Sequence, residues 1–155
     1  MHRVLAGCML MAGFLVVSTA ACAQVEVRVF VDDAVAGIAR QAGEVLERDS
    51  GHSLVVVSAT AGSLQQRLES ELADVIFMAA PTIDALEQAN RFVPGTRVDV
   101  ARALSVGQPP RIYSAAMMAT GENFEGARAF LHLLVGPEGR EAATMAGLEP
   151  IAPTP

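Results

Sequence analysis

The sequence predicts an α/β fold of three layers, a mostly parallel sheet held between helices. Two observations carry this. Short β-branched runs alternate with stretches of helical period, the order that produces right-handed β-α-β crossovers. Of the 155 residues, 52% are hydrophobic and 18% charged, which supports one ordinary core and excludes disorder as the main state.

The elements follow in chain order. Met1-His2-Arg3 is a short positive start, Val4 to Val17 is almost wholly apolar, and Ala21-Cys22-Ala23 has the small-x-small pattern of a signal-peptidase site. That apolar run is shorter than the roughly 20 residues a membrane-spanning helix needs. Residues 1–23 are therefore expected to be a cleaved secretory signal. A lipoprotein signal modified at Cys22 is the alternative, although Thr19 stands where such signals usually carry Leu. Cleavage removes both cysteines and leaves 10 Arg against 17 acids, a net charge of −7 with no thiol.

Val25 to Val31 has the alternation of a strand, with Val25, Val27, Val29 and Val31 on one face. Asp32-Asp33 then caps a helix from about Ala34 to Arg48, with Val35, Ile38, Ala39, Ala42, Val45 and Leu46 inward, and Asp49-Ser50-Gly51 stops it. Leu54 to Val57 is a wholly apolar strand, as a buried parallel sheet wants. Ser58 to Gly62 turns into a helix carrying Leu64, Leu68 and Leu72, Asp74 to Met78 is a third strand, and Pro81-Thr82 starts a helix through Ile83, Leu86 and Ala89. Beyond Pro94-Gly95, Val98 to Val106 and Ile112 to Ala119 are longer strands joined by Gly107-Gln108-Pro109-Pro110. A helix from about Asn123 turns Phe124, Ala127, Leu131 and Leu134 inward. A second runs from Pro137 to a left-handed cap at Gly147, and Pro150 to Pro155 is expected as a flexible tail.

In such sheets ligands sit beyond the carboxyl ends of the strands, near helix N-termini. That selects the loops Asp32-Asp33-Ala34 and Ser58 to Ser63. The basic residues are all Arg and are outnumbered by acids, so a nucleic-acid binder held by phosphate contacts is excluded. His52 and His132 are isolated, with no second ligand at metal spacing and no nucleophile nearby in sequence, so neither a metal site nor an enzyme is expected. Glu69, Glu71 and Asp74 have the look of a solvated face.

Several segments together resemble the periplasmic molybdate-binding type of solute-binding protein, the type 2 receptor of an ABC importer. They are Val29-Phe30-Val31-Asp32-Asp33-Ala34-Val35, Ala61-Gly62-Ser63-Leu64-Gln65-Gln66, Ala73-Asp74-Val75-Ile76-Phe77-Met78 and Phe92-Val93-Pro94-Gly95-Thr96-Arg97-Val98. Towards the end Ala127-Arg128-Ala129-Phe130-Leu131, Gly136-Pro137-Glu138-Gly139-Arg140 and Gly147-Leu148-Glu149-Pro150 resemble its last helices. The resemblance implies one periplasmic-binding-protein-like lobe over residues 24–149, with Val98 to Val106 and Ile112 to Ala119 as hinge-derived strands. The second lobe of that family has no counterpart, because the outgoing strand returns at once through Gln108-Pro109-Pro110.

The family's two serine hydroxyls from this lobe fall on Ala34 and Ala61. The resemblance thus implies a ligand site at Asp33, Ala34, Thr60, Ala61 and Ser63, for an oxyanion such as molybdate or tungstate. It also implies a periplasmic location, an ABC permease as partner, no enzyme activity and no cofactor. Asp32 and Asp33 oppose an anion there, and at ~4 Å like charges cost about 1 kcal/mol in water. The expectation is an oxyanion receptor with reduced or altered binding. The alternative is an accessory or protein-interaction module of the same descent, whose uncovered hinge strands and cleft face suit a homodimer.

Overall fold

The computed structural model describes residues 26–152. The expected signal, both cysteines and residues 153–155 lie outside them. Strand β1 (Glu26–Asp32) runs into a 3-10 turn (Asp33–Val35) and helix α1 (Ala36–Ser50). There follow β2 (Ser53–Ala59), α2 (Ala61–Arg67), β3 (Val75–Ala79), α3 (Ala80–Gln88), β4 (Val98–Ser105) and β5 (Gln108–Met117). Helices α4 (Phe124–Val135) and α5 (Pro137–Met145) and strand β6 (Glu149–Pro150) complete the order. The strands make one six-stranded sheet, β2-β1-β3-β5-β4-β6. β1, β2, β3 and β4 point one way and β5 and β6 the other, the expected mostly parallel sheet with a hairpin pair inside it.

Period-two alternation sorts the core into two layers. Val27, Val29, Val31, Val75, Phe77, Ala115 and Met117 face α1, α4 and α5. Phe30, Ile76, Met78, Ala116 and Met118 face the other way, with Leu64 and Leu68 of the α2 segment and Ile83 of α3. Phe30, Phe77 and Phe130 are fully buried, so large apolar area is removed from water on both faces. Among the described residues no helix is long and apolar enough to cross a membrane.

The structure departs from the sequence reading in five places. Helix α2 ends at Arg67, because Ser70 and Glu71 both bond back to Arg67 and turn the chain down to β3; Leu72 is left 47% exposed. Phe124 is also outward, 45% exposed, because the first turn of α4 meets β1 through Gly126, where a Cβ would stand 2.5 Å from Val27 Cγ2. The turn after β4 is tighter than expected, Val106-Gly107 with Gly107 at φ 75°, and Gln108 already pairs with Ser105. Pro109 and Pro110 fall at a register shift of that hairpin, outside the stretch of β5 that pairs with β3, where a missing N–H breaks no ladder bond. Pro150, expected in a tail, pairs with Ala101, and Arg102 clamps Glu149 through two hydrogen bonds of 2.9 and 2.6 Å.

The fifth departure is Asp74, which is 6% exposed. It accepts backbone N–H bonds from Arg28 (2.8 Å), Glu122 (2.7 Å) and Asn123 (2.8 Å).

Candidate functional site

The parallel register pairs Asp32 with Ala59, so the loops leaving β1 and β2 emerge side by side at one end of the sheet. Asp32 is extended (φ −61°, ψ 137°), and its Oδ1 accepts from the Ala34 N–H at 3.0 Å. It is therefore a true N-cap: its carboxylate satisfies one of the donors an anion would need. Asp33 and Ala34 lie in the exposed 3-10 turn. Across the gap, Thr60 precedes α2 with no side-chain cap on its first N–H groups. Thr60 Oγ1 and Ser63 Oγ share a hydrogen bond of 3.1 Å, and both residues are exposed.

Of the residues at these two loops, Asp32 and Ala61 line a groove of about 740 Å³, and Asp33, Ala34, Thr60 and Ser63 do not. The start of α3 (Ala80, Pro81, Asp84) and the β4–β5 hairpin from Pro109 to Tyr113 supply most of the rest of its lining. The α3 start and the hairpin line this groove and were not part of the two-loop reading. Pro81-Thr82 after β3 was the available signal, since it marks a third strand-to-helix junction at the same end of the sheet. Tyr113 is 4% exposed and packs in the core, and it also contributes to the groove's lining.

The charges around the groove are unevenly compensated. Asp84 receives Arg97 Nη1 at 2.5 Å, and the same nitrogen reaches Glu87 at 2.9 Å. Burial pulls the Arg97 guanidinium down, but hydrogen bonds to Glu87 and Asp84 and the attraction of Asp84 and Asp99 outweigh it and hold it above its usual range. Asp84 is thus paired, although Arg97 shares its one charge with Glu87 and Asp99. Asp32 is in no ion pair among the described residues. Arg111, exposed on the hairpin, is the one cation lining the groove among the described residues. Among the described residues no group of His, Cys, Asp and Glu is placed to hold a metal ion.

No protein-family model matches the chain, and no curated protein does. Solved structures do. A substrate-binding domain assigned to a molybdenum ABC transporter from Clostridium difficile superposes with a TM-score of 0.71 at 13% identity, over 82% of this chain and 99% of that one. The periplasmic molybdate-binding protein of Azotobacter vinelandii gives 0.70 at 13% identity, over 83% and 100%. Iron-bound HitA from Pseudomonas aeruginosa gives 0.68 at 11% identity, over 84% and 89%. The fold is periplasmic-binding-protein-like. At these identities the likeness concerns the backbone and assigns no ligand. In this binding-protein-like lobe the groove occupies the carboxyl end of the sheet, the place where α/β folds present ligands.

Proposed function

We propose that this chain is an exported, periplasmic solute-binding lobe related to the oxyanion receptors of ABC importers, with weakened or altered ligand binding. The fold likeness to molybdate-binding proteins supports the solute-binding part. The altered binding rests on one observation: the Asp32 carboxylate occupies the Ala34 N–H at the mouth of the groove. Ala34 and Ala61 add no hydroxyl, so an oxyanion there would rely on the first N–H groups of α2, the Thr60–Ser63 pair and the exposed Arg111. Calorimetry with molybdate and tungstate tests this. Submicromolar binding of either would refute weakened oxyanion binding.

A second reading has an observation of its own. At the hairpin tip Leu104 is 65% exposed and Val106 fully exposed, an apolar end suited to an accessory or interaction module. A thermal-shift panel of anions, divalent cations and small organic solutes separates the two, because a bound ligand raises apparent stability. A shift with any solute supports the binding lobe, and a flat panel favours the module. A permease partner belongs to the first reading alone.

A further inference from the structure

The two edges of the sheet are built differently. On one side β4 is partly covered by the two residues of β6, with Pro150 and the Arg102–Glu149 ion pair at the rim. Proline and charge are the usual means of blocking edge pairing. On the other side β2 (Ser-Leu-Val-Val-Val-Ser-Ala) follows β1 through seven consecutive pairs without a shift. It carries no charge and no proline, and among the described residues no strand lies on its outer side. Its seven residues are all half-buried.

We propose that β2 pairs antiparallel with β2 of a second copy of this chain, about a twofold axis at Val56, joining two sheets into one. The strand is complementary to itself in that register. Val56 meets Val56, Val55 meets Val57, Leu54 meets Ser58 and Ser53 meets Ala59, so no charge or bulky polar group is trapped at the seam. Helix α1 adds a charge pattern with the same symmetry. Arg40 Nη2 lies 3.4 Å from Ser58 Oγ, which sets Arg40 at the Ser58 end of the edge. Gly43 packs on Leu54, where a Cβ would stand 2.6 Å from Leu54 Cδ2, so α1 runs toward the Leu54 end. Glu44 and Glu47 share the exposed face of Arg40. With Gly43 on Leu54, Glu44 lies near the level of Leu54, and Glu47, at ~1.5 Å per helix residue, about 6 Å beyond it. The twofold places the Ser58 level of one copy opposite the Leu54 level of the other, and the Arg40 guanidinium then faces Glu44 across the axis.

The test uses the full chain carrying Cys8→Ser and Cys22→Ser, so that an introduced thiol is the only one. Directly opposed β-carbons stand ~4.5–5.5 Å apart, close enough for a disulfide with small adjustment. Sedimentation should show a dimer, and under mild oxidation Val56→Cys should cross-link at least about tenfold faster than Val106→Cys on the exposed hairpin turn. Val55→Lys should give a monomer with an unchanged circular-dichroism spectrum; if that variant fails to fold, the cross-linking comparison decides. A monomer at about 100 μM, or a dimer in which Val106→Cys cross-links as fast as Val56→Cys, overturns the proposal.

Discussion

Replacing Asp74 by Ala should be among the most damaging polar substitutions in this chain. Its carboxylate holds three backbone N–H groups, from Arg28 in β1 and from Glu122 and Asn123 ahead of α4. Asn123 in turn caps α4 by accepting from the Gly126 N–H at 2.9 Å, and its Nδ2 reaches Glu26 O at 3.2 Å. One side chain therefore fixes the start of β1, the start of β3 and the approach to α4. Hydrogen bonds to a charged group contribute about 1.5–3 kcal/mol each, and a buried donor left unpaired costs a comparable amount. Water can reach the exposed Glu122, so about two of the three bonds are lost outright. The expected loss is about 3–5 kcal/mol, a large share of the 5–15 kcal/mol that holds an ordinary domain. Asp74→Asn keeps the shape but turns an NH2 toward one of the N–H donors, and should cost about half as much. Urea unfolding followed by circular dichroism measures both. A loss under about 1 kcal/mol for Asp74→Ala at unchanged m would refute the clamp.

Other substitutions test the packing, the groove and the sheet rim. Gly139→Ala would put a Cβ 2.1 Å from Leu134 O and 2.5 Å from Leu133 O, both backbone, so the α4–α5 corner must shift. It should cost about 3 kcal/mol or more in thermal unfolding, whereas Gly43→Ala meets only the movable Leu54 side chain and should cost about 1. The combined Asp32→Asn, Ala34→Ser and Ala61→Ser variant removes the competing charge and restores two hydroxyls. Calorimetry should show molybdate affinity at least about tenfold above the parent, and no gain would refute the account of weakened binding. The hydrogen bond from Arg102 holds the Glu149 carboxyl below its usual range, so its stabilising share is present above that range and is lost as pH falls through the folded value. Amide protection of Ile151, which bonds to Val100 O, should therefore fall in acid before that of β1, and Glu149→Gln should show the loss at neutral pH.

Elements whose own period reports their burial were legible in the sequence. Val27, Val29 and Val31 on one face of β1, the inward stripe of α1 and the left-handed end at Gly147 follow from local pattern, and each is where the pattern puts it. What was not legible depends on neighbours distant in sequence. Leu72 continues a helical spacing, but the chain turns away before reaching it. Phe124 looks inward by hydrophobicity, yet Gly126 is the residue that approaches β1. Asp74 looks solvated until Arg28 and Asn123 arrive from 46 and 49 residues away. The groove was half legible for the same reason. The two loops after β1 and β2 follow from the strand-to-helix rule, but the hairpin wall depends on β5 inserting between β3 and β4.

The compensation of charge at the groove bears on what such a lobe can hold. Asp84 is paired with Arg97, but that one guanidinium is shared with Glu87 and Asp99, so that side of the groove stays negative. Asp32 is matched only by the Ala34 N–H dipole, and its full charge faces the space beside Ala61. At ~6 Å and an effective dielectric near 20, each unit of negative charge on a ligand would be repelled by about 3 kcal/mol, twice that for a doubly charged oxyanion. The free N–H groups of α2 return about as much through hydrogen bonds, and Arg111 is exposed and only partly placed to add to them. Two-lobed receptors gain affinity by closing over the ligand, whereas here only Val106 and Gly107 separate β4 from β5. The balance therefore sits near zero for a divalent anion and improves as ligand charge decreases. On the proposed reading, a neutral or singly charged solute suits this groove better than a divalent oxyanion such as molybdate.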